Sequence, residues 1–184
     1  SLKGMRTTIG EGAATNPFDD IYKTENIVVM GSNTTEAHPI VANRMIKAAR
    51  DKTATLTVID VRQTQLSKFG DQLIIPYEAN LLVLNMMAYV ILSENLYNKE
   101  FIDERCNGFE EYKNSILNDP FANPEFMKNI EGYESLSEQI PVVARTYATK
   151  KSMFFWGLGI TEHLDGSYAV MAITHLAMLT GNIG

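Results

Sequence analysis

The stretch Ile27-Val28-Val29-Met30-Gly31-Ser32-Asn33 decides the fold class of this chain. Four consecutive apolar residues, followed at once by glycine and polar residues, are typical of a strand that is buried on both faces of a parallel sheet. A helix is predicted next, over residues 39–50, with a proline in its first turn, where the missing N–H would have no partner. A buried strand followed by an amphipathic helix indicates the beginning of an α/β domain.

The same alternation continues along the rest of the chain. Further strands are predicted at residues 56–59, 73–75 and 153–156, and further helices at 80–95, 135–148 and 166–179. Together these elements predict an α/β fold with a mostly parallel sheet and helices on both faces.

Three segments interrupt this pattern. Residues 4–20 contain three glycines and a proline and predict an irregular loop. Residues 99–130 are polar and carry two prolines, which predicts one or two short surface helices and an insertion. Pro141 is expected in the first turn or two of its helix, where the loss of a backbone donor is tolerated.

Composition narrows the class of protein. The chain has 184 residues, 16 basic and 22 acidic, and a formal net charge of −6. This length fits a single domain, and the acidic balance without a basic run argues against binding to nucleic acid or to a membrane surface. The most apolar stretch, residues 81–92, is shorter than the ~20 residues that a membrane span needs, and it predicts a buried helix. One cysteine, Cys106, excludes an internal disulfide and is compatible with a cytoplasmic protein.

The loop after the first predicted strand combines a glycine with hydrogen-bonding side chains. Gly31 permits close approach of the backbone to a ligand, while Ser32 and Asn33 can bind a phosphate or a sugar. The helix that follows favours an anion at its N-terminus. The same residues also fit a helix-capping loop, because Asn33 and Glu36 have the spacing of a capping box. Taken alone, the motif favours capping.

Two other predicted strands end in candidate binding residues. Asp60 follows the second strand, where a carboxylate often accepts ribose hydroxyls; it can also pair with the N1–H and N2–H₂ edge of guanine. The alternative, a turn in which Asp60 and Arg62 merely face solvent, stays open. Gly157-Leu158-Gly159-Ile160-Thr161-Glu162 resembles the start of a G-x-G-x-x-G pattern, but it lacks the third glycine and follows the last strand. The pattern therefore argues against a nicotinamide site and leaves a glycine loop that can approach another ligand.

No catalytic or metal-binding constellation is visible. The three histidines, His38, His163 and His175, are too scattered for a recognisable zinc site. His175 has apolar neighbours and is interpreted as a core residue. Cys106 has no histidine or acidic partner in a motif and is interpreted as structural.

Several of these segments also resemble successive motifs of one family. The motifs are Gly31-Ser32-Asn33-Thr34-Thr35-Glu36-Ala37-His38-Pro39-Ile40, Val58-Ile59-Asp60-Val61-Arg62, Phe155-Trp156-Gly157-Leu158-Gly159-Ile160-Thr161 and Leu179-Thr180-Gly181-Asn182-Ile183-Gly184. In this order they resemble the molybdopterin oxidoreductase family, and they are most similar to the catalytic alpha subunits of formate dehydrogenases. Each motif is weak by itself, but the collinear set covers nearly the whole chain.

The resemblance implies a Rossmann-like three-layer αβα domain, excised from a larger catalytic chain. Such a domain would hold one molybdopterin guanine dinucleotide of a molybdenum or tungsten cofactor, with an iron–sulfur cluster bound outside it. The family's metal ligand, a cysteine or selenocysteine followed by histidine, belongs just before residue 4, so no catalytic residue and no metal ligand is expected within the chain. The isolated chain is accordingly expected to be inactive. The implied partners are the remaining domains of the parent chain, electron-transfer subunits, and formate as the parent's substrate.

The resemblance also implies residues that bind the cofactor. Phosphate and ribose contacts fall on Gly31, Ser32, Asn33, Glu36 and His38; nucleoside contacts on Asp60, Val61 and Arg62, with Glu78, Ala79 and Asn80 nearby; and pterin contacts on Gly157, Leu158, Gly159 and Glu162.

Four of these positions depart from the family's usual residues, and two other functions stay open. The family often has proline at Val61, glycine at Glu78, methionine at Leu158 and glutamine at Glu162, and the last departure puts a carboxylate in place of an amide. One alternative is another enzyme of the same family, such as a nitrate reductase. The other is a non-catalytic nucleotide-binding or subunit-docking domain.

Overall fold

The computed structural model describes the whole chain, from Ser1 to Gly184, and contains one sheet of four parallel strands. The strands are β1 (Asn26–Met30), β2 (Thr55–Asp60), β3 (Asp71–Ile74) and β4 (Ser152–Trp156). Their spatial order is β3-β2-β1-β4, and every neighbouring pair is parallel. The predicted α/β class and the number of strands are therefore confirmed, although the third strand begins two residues earlier than predicted and ends at Ile74.

Ten helices surround the sheet. They are α1 (Leu2–Ile9), α2 (Thr34–Ala37), α3 (Pro39–Arg50), α4 (Asn80–Ser93), α5 (Lys99–Arg105), α6 (Phe109–Leu117), α7 (Pro124–Met127), α8 (Glu134–Thr149), α9 (Leu158–Thr161) and α10 (Gly166–Thr180). Short 3-10 turns occur at Phe18–Tyr22, Leu66–Phe69 and Pro120–Ala122. None of the helices is long and apolar enough to cross a membrane.

Alternate residues of the buried strands serve two separate cores. On one face, Ile27 and Val29 of β1 pack with residues of α3 such as Met45. On the other face, Val28 and Met30 join a larger core built mainly from α4, α8 and α10. Because successive side chains of a strand point to opposite faces, an uninterrupted apolar run is what a sheet covered on both sides requires. The predicted three-layer arrangement is confirmed.

Three details of the sequence-based prediction are wrong. Residues 2–9 form α1 rather than part of an irregular loop, and Gly4 is buried against α10. Residues 99–130 form three short helices and a 3-10 turn, more than the one or two helices expected. Pro141 is the eighth residue of α8, inside the helix and beyond its first two turns.

His175 makes the stability of the fold depend on pH. The residue lies on α10, and its ring contacts that of Tyr112, with 4.5 Å between ring centroids. Burial lowers the pKa of His175 from its ordinary value of 6.5. Between the folded-state pKa and 6.5 the unfolded chain binds more protons than the folded chain, so acid favours unfolding.

We expect the free energy of unfolding to fall as the pH decreases through 6.5 toward the lower pKa of folded His175. Urea unfolding at a series of pH values measures this free energy. In His175→Phe, the free energy of unfolding should depend less on pH in this range, because the histidine's contribution is absent. His38→Phe is the matched control, since His38 is exposed. Equal acid sensitivity of the wild type and His175→Phe would assign the effect to other groups.

Candidate functional site

The candidate site lies beyond the carboxyl ends of the strands. The chain proceeds from β1 outward to β2 and β3, and then returns to place β4 on the other side of β1. In an open α/β sheet this reversal leaves a crevice beyond the strand ends, where ligands bind. The loops that follow β1 and β4 meet at this point, and they contain the glycines that the sequence analysis selected.

Gly31 and Gly159 pack directly against each other at this reversal. Gly31 has a φ of 58°, a left-handed conformation that favours glycine. Gly159 donates its backbone N–H to the carbonyl of Gly31 over 3.0 Å. A Cβ atom added at Gly31 would lie 2.8 Å from the carbonyl carbon of Gly159. The close approach that these glycines permit is thus made between two loops, and their contact with a cofactor stays a prediction.

Asn80 fastens the same junction to α4. Its side-chain Nδ2 donates to the carbonyl of Gly159 over 2.9 Å, and Asn80 itself is only 5% exposed. Ala79 is also buried, whereas Glu78 is exposed. Three candidates for contact with the nucleoside lie here. Ala79 and Asn80 are buried and therefore support the loops, whereas the exposed side chain of Glu78 is accessible to a ligand.

Glu78 occupies a backbone conformation that glycine would adopt more easily. Its φ is 72°, which costs a non-glycine residue about 1 kcal/mol or more. We expect Glu78→Gly to raise the free energy of unfolding by about 0.5–1 kcal/mol, measured by urea unfolding. Lys52→Gly is the matched control, because Lys52 has a φ of 57° on an exposed turn far from the strand ends and should gain a similar amount. A loss of stability in Glu78→Gly would mean that the carboxylate makes a compensating interaction.

The loop after β1 does not form the predicted capping box. The side chain of Asn33 caps no backbone N–H; its Oδ1 instead accepts a hydrogen bond from Thr35 Oγ1 over 3.2 Å. The helix that follows, α2, has only four residues and ends at Ala37; His38 then separates it from α3, which begins with Pro39. Because Asn33 is not consumed by capping, its amide stays available at the strand-end surface.

The side chain of Asp60, at the end of β2, stabilises the turn that follows the strand. One carboxylate oxygen, Oδ1, accepts the backbone N–H of Arg62 over 3.3 Å. The next residues, Val61 and Arg62, are exposed. This is the turn that the sequence analysis left as an alternative, and it leaves the second carboxylate oxygen of Asp60 free to accept a hydrogen bond.

A cavity of about 460 Å³ lies beside the loops that follow β1 and β2. It is lined only by polar and charged residues, namely Asn33, Glu36, Arg62, Gln63, Thr64, Gln65, Ser67, Lys68 and Gln72. Three of them, Asn33, Glu36 and Arg62, were predicted as cofactor-binding residues, and the structure brings them together. Thr64 and Gln72 each carry a buried side-chain oxygen, Thr64 Oγ1 and Gln72 Oε1, that has no hydrogen-bond partner.

The remaining candidates lie at the same edge but outside this cavity. Leu158 is 66% exposed and Glu162 is exposed, so both are accessible on the outer side of the β4 loop. Ser32 bonds the hydroxyl of Thr34 at 3.0 Å, and His38 is exposed. Sequence reasoning missed six residues of the cavity wall, namely Gln63, Thr64, Gln65, Ser67, Lys68 and Gln72. The polar residues 63–65, directly after Arg62, were the available signal.

The chain belongs to the molybdopterin oxidoreductase family. The model of that family, described as "Molybdopterin oxidoreductase", matches residues 5–184. The resemblance noted in the sequence is thereby confirmed, and the family implies a pterin cofactor that carries molybdenum or tungsten. The residues at the strand ends fit a cofactor with a polar end, because only polar and charged residues line the cavity.

Similar proteins include formate dehydrogenases. The chain is 38% identical over 186 residues to formate dehydrogenase H of Escherichia coli strain K12, covering all of this chain and 25% of that relative. It is 39% identical over 187 residues to an F420-dependent formate dehydrogenase subunit alpha of Methanocaldococcus jannaschii, covering all of this chain and 27% of that protein. The chain thus spans about a quarter of the length of these relatives.

A solved structure agrees with the fold. Acetylene hydratase from Pelobacter acetylenicus superimposes on 99% of this chain and 24% of its own, with a TM-score of 0.83 and 24% sequence identity. The strand order and the surrounding helices are therefore an arrangement that occurs within a larger solved chain. At this identity the likeness concerns the fold alone.

Proposed function

We propose that residues 1–184 form a single domain of a formate dehydrogenase catalytic subunit and hold the nucleotide end of a molybdopterin guanine dinucleotide. The observation that carries the proposal is the cavity of about 460 Å³ beyond β1 and β2, which is lined by no apolar residue. Its volume suits a nucleoside, and its position suits a ligand at a strand-end crevice. The identity of 38–39% over the whole chain to formate dehydrogenases supports this assignment within the family.

Each loop has a proposed part in binding. Asn33, Glu36 and Ser32 contact the ribose and phosphates, with His38 at the outer edge, and Arg62 and Lys68 supply the two positive charges of the cavity wall. Asp60 and Val61 border the nucleoside, with the Glu78 loop nearby. The outer surface of Gly157, Leu158 and Gly159, together with Glu162, faces the pterin.

The chemistry belongs to the cofactor rather than to these side chains. When bound, the molybdenum or tungsten cofactor carries the two-electron oxidation of formate to carbon dioxide, and the electrons leave through iron–sulfur centres bound elsewhere in the parent chain. The residues of this domain bind the nucleotide and fix its orientation. No three histidine, cysteine, aspartate or glutamate side chains in the structure are grouped to hold a metal ion. The proposed partners are the other domains of the parent chain and electron-transfer subunits, in the cytoplasm.

The proposal is tested on the parent catalytic chain. We expect the purified chain to contain molybdenum or tungsten, to release guanosine monophosphate on acid hydrolysis, and to reduce a dye when formate is supplied. Turnover with nitrate but not with formate would favour another enzyme of the family, while the absence of both metal and nucleotide would favour a non-catalytic domain. Residues 1–184 alone should show no formate-dependent turnover.

Arg62 gives a sharper test of the site. Loss of a charge-assisted hydrogen bond costs about 1.5–3 kcal/mol, so Arg62→Ala should weaken retention of the cofactor roughly tenfold or more. Metal and guanosine monophosphate per purified parent chain measure retention. Arg6→Ala, which removes an exposed charge on α1, is the matched control and should leave both contents unchanged. Full retention in Arg62→Ala would remove Arg62 from the site.

A further inference from the structure

The outermost strand β4 pairs with β1 on one side and has a free edge on the other. Gly157 donates its backbone N–H to the carbonyl of Met30 on β1 over 3.3 Å. Because the backbone groups of alternate residues point to opposite edges of a strand, those of Phe154 and Trp156 point away from β1, and they form no hydrogen bond within the chain. The strand contains no charged residue or proline that would hinder pairing. Such an edge is a template for a further strand.

An apolar cavity of about 260 Å³ borders the same edge. The strand β4 forms one wall, since residues 153–156 all line the cavity; Met5 and Ile9 of α1, Ala177 of α10 and Phe18 also line it. Its volume exceeds the ~150 Å³ of a cavity that takes a benzene ring. The unpaired backbone groups and the unfilled apolar space therefore lie side by side.

The position of α10 indicates where a strand that follows it would lie. The crossover from β1 to β2 passes over the face that α3 covers, and the crossover from β3 back to β4 passes over the opposite face, through α4 and α8. Opposite directions on opposite faces give both crossovers the same hand, and about 98% of such crossovers are right-handed. Because α10 packs on the face of α4 and α8, a crossover of this hand from β4 through α10 leads to the edge away from β1.

The end of α10 lies at the correct end of β4 for this crossover. Asn182, two residues beyond α10, accepts the backbone N–H of Ser152 through its Oδ1 over 3.0 Å. Ser152 is the first residue of β4, so the chain has returned to the amino end of the strand. A segment that continued from there along the free edge would run parallel to β4.

We propose that the residues that follow Gly184 in the parent chain form a fifth parallel strand, which pairs with the free edge of β4 and fills the apolar cavity. The inference rests on the proposed function, in which residues 1–184 are one domain of a catalytic chain about four times as long. The backbone of the added strand bonds to Phe154 and Trp156. Its alternate side chains are apolar where they face Met5 and Ala177.

Hydrogen exchange of the wild-type parent chain, resolved to single residues, tests the pairing. The N–H of Phe155 faces β1 and serves as the internal reference. The N–H groups of Phe154 and Trp156 should exchange within about tenfold of the rate of Phe155, as in a strand that is paired on both sides. Fast exchange at both residues beside slow exchange at Phe155 would show a free edge and overturn the proposal.

A photoreactive residue in the cavity identifies the segment that occupies it. Thr15 is exposed and lines the cavity, so benzoylphenylalanine can replace it with little disturbance. Irradiation of the parent chain should link this residue to a peptide from the segment directly after Gly184. A link to a second copy of the chain, a link to a different segment, or no link would overturn the assignment.

Ala177→Trp tests whether the cavity is filled in the parent chain. A filled cavity has no room for the new ring, so the midpoint of thermal unfolding should fall by about 2 °C or more. Val142→Trp is the matched control, because Val142 is 60% exposed on α8 and its replacement should change the midpoint little. An unchanged or higher midpoint in Ala177→Trp would show an empty cavity and contradict the proposal.

The cofactor content of the wild-type parent chain separates this inference from the proposed function. A chain that holds metal and guanosine monophosphate but exchanges quickly at Phe154 and Trp156 overturns the fifth strand alone. A chain that is protected at both residues but holds neither metal nor nucleotide overturns the proposed function and retains the paired edge.

Discussion

Replacing Gly31 by valine is expected to lower the free energy of unfolding by about 3–5 kcal/mol. Two costs add up. A left-handed φ of 58° strains any residue with a Cβ, and a branched side chain most of all. The new Cβ would also lie 2.8 Å from the carbonyl carbon of Gly159 and 3.0 Å from the backbone nitrogen of Ile160. Both are backbone atoms of the neighbouring loop, and neither can move without moving that loop. Urea unfolding of both proteins measures the difference.

Gly108→Val isolates the contribution of the contact between the two loops. Gly108 has a φ of 73°, and a Cβ there would meet no atom within 4 Å. Its replacement should therefore cost about 1–2 kcal/mol, from backbone strain alone. If Gly31→Val and Gly108→Val lower the free energy of unfolding equally, the loop after β4 moves away from the new side chain at no cost. A Gly31 variant that unfolds like the wild type but loses the cofactor would instead place the backbone of Gly31 against the ligand.

The two central strands, β1 and β2, could be predicted from the sequence because burial on two faces leaves a run of mostly apolar residues. Val28 and Val29 point to opposite cores, and each must be apolar for its own reason. The helix α1 could not be predicted in the same way. Gly4 suggests a loop when only its neighbours in sequence are considered, but in the structure it lets α1 approach α10, where a Cβ would lie 2.7 Å from the carbonyl oxygen of Ser167. That reason lies 163 residues away and is tertiary.

The candidate site shows the same limit. Asn33, Glu36 and Arg62 could be selected because each follows a predicted strand, and strand ends share one edge of a parallel sheet. Gln72 could not, since it lies within β3. It is brought into the cavity by the register of β3 on β2, in which Gln72 is paired with Val58. Capping also misled the sequence analysis, because the spacing of Asn33 and Glu36 permits a capping box that the short helix α2 does not form.

The strand-end loops therefore divide into a framework and a binding surface. Gly31 and Gly159 pack against each other, and Asn80 donates a hydrogen bond to Gly159. These contacts fix the relative position of the loops after β1 and β4. In the cavity wall, by contrast, the side chains of Glu36, Arg62 and Lys68 form no hydrogen bond with the protein. A rigid framework of this kind is what holding a large dinucleotide in one orientation requires, since ordering the loops at the moment of binding would weaken affinity.

Asn80→Asp tests the framework through a single charge. Asn80 donates to the carbonyl of Gly159, and a carboxylate in its place has no hydrogen to donate and faces a carbonyl oxygen. A buried charge without a partner costs about 3–5 kcal/mol. Asn80 is also the first residue of α4, where the helix dipole favours a negative charge by about 0.3–1 kcal/mol. The burial cost is larger, so we expect a net loss of about 2–4 kcal/mol at neutral pH.

The loss should depend on pH in a direction that identifies its cause. Burial without a donor raises the pKa of the introduced carboxyl in the folded state above its value in the unfolded chain. Once protonated, the carboxyl can donate to the carbonyl of Gly159 as the amide did, so the stability of Asn80→Asp relative to the wild type should recover as the pH falls through the raised pKa. The difference in free energy of unfolding, measured in urea at pH 5 and pH 8, should thus be larger at pH 8. Asn95→Asp adds the same charge at an exposed residue just after α4 and should cost less than about 1 kcal/mol at both pH values. A difference for Asn80→Asp that stays small and constant across this range would show that the contact between Asn80 and Gly159 does not hold the two loops together.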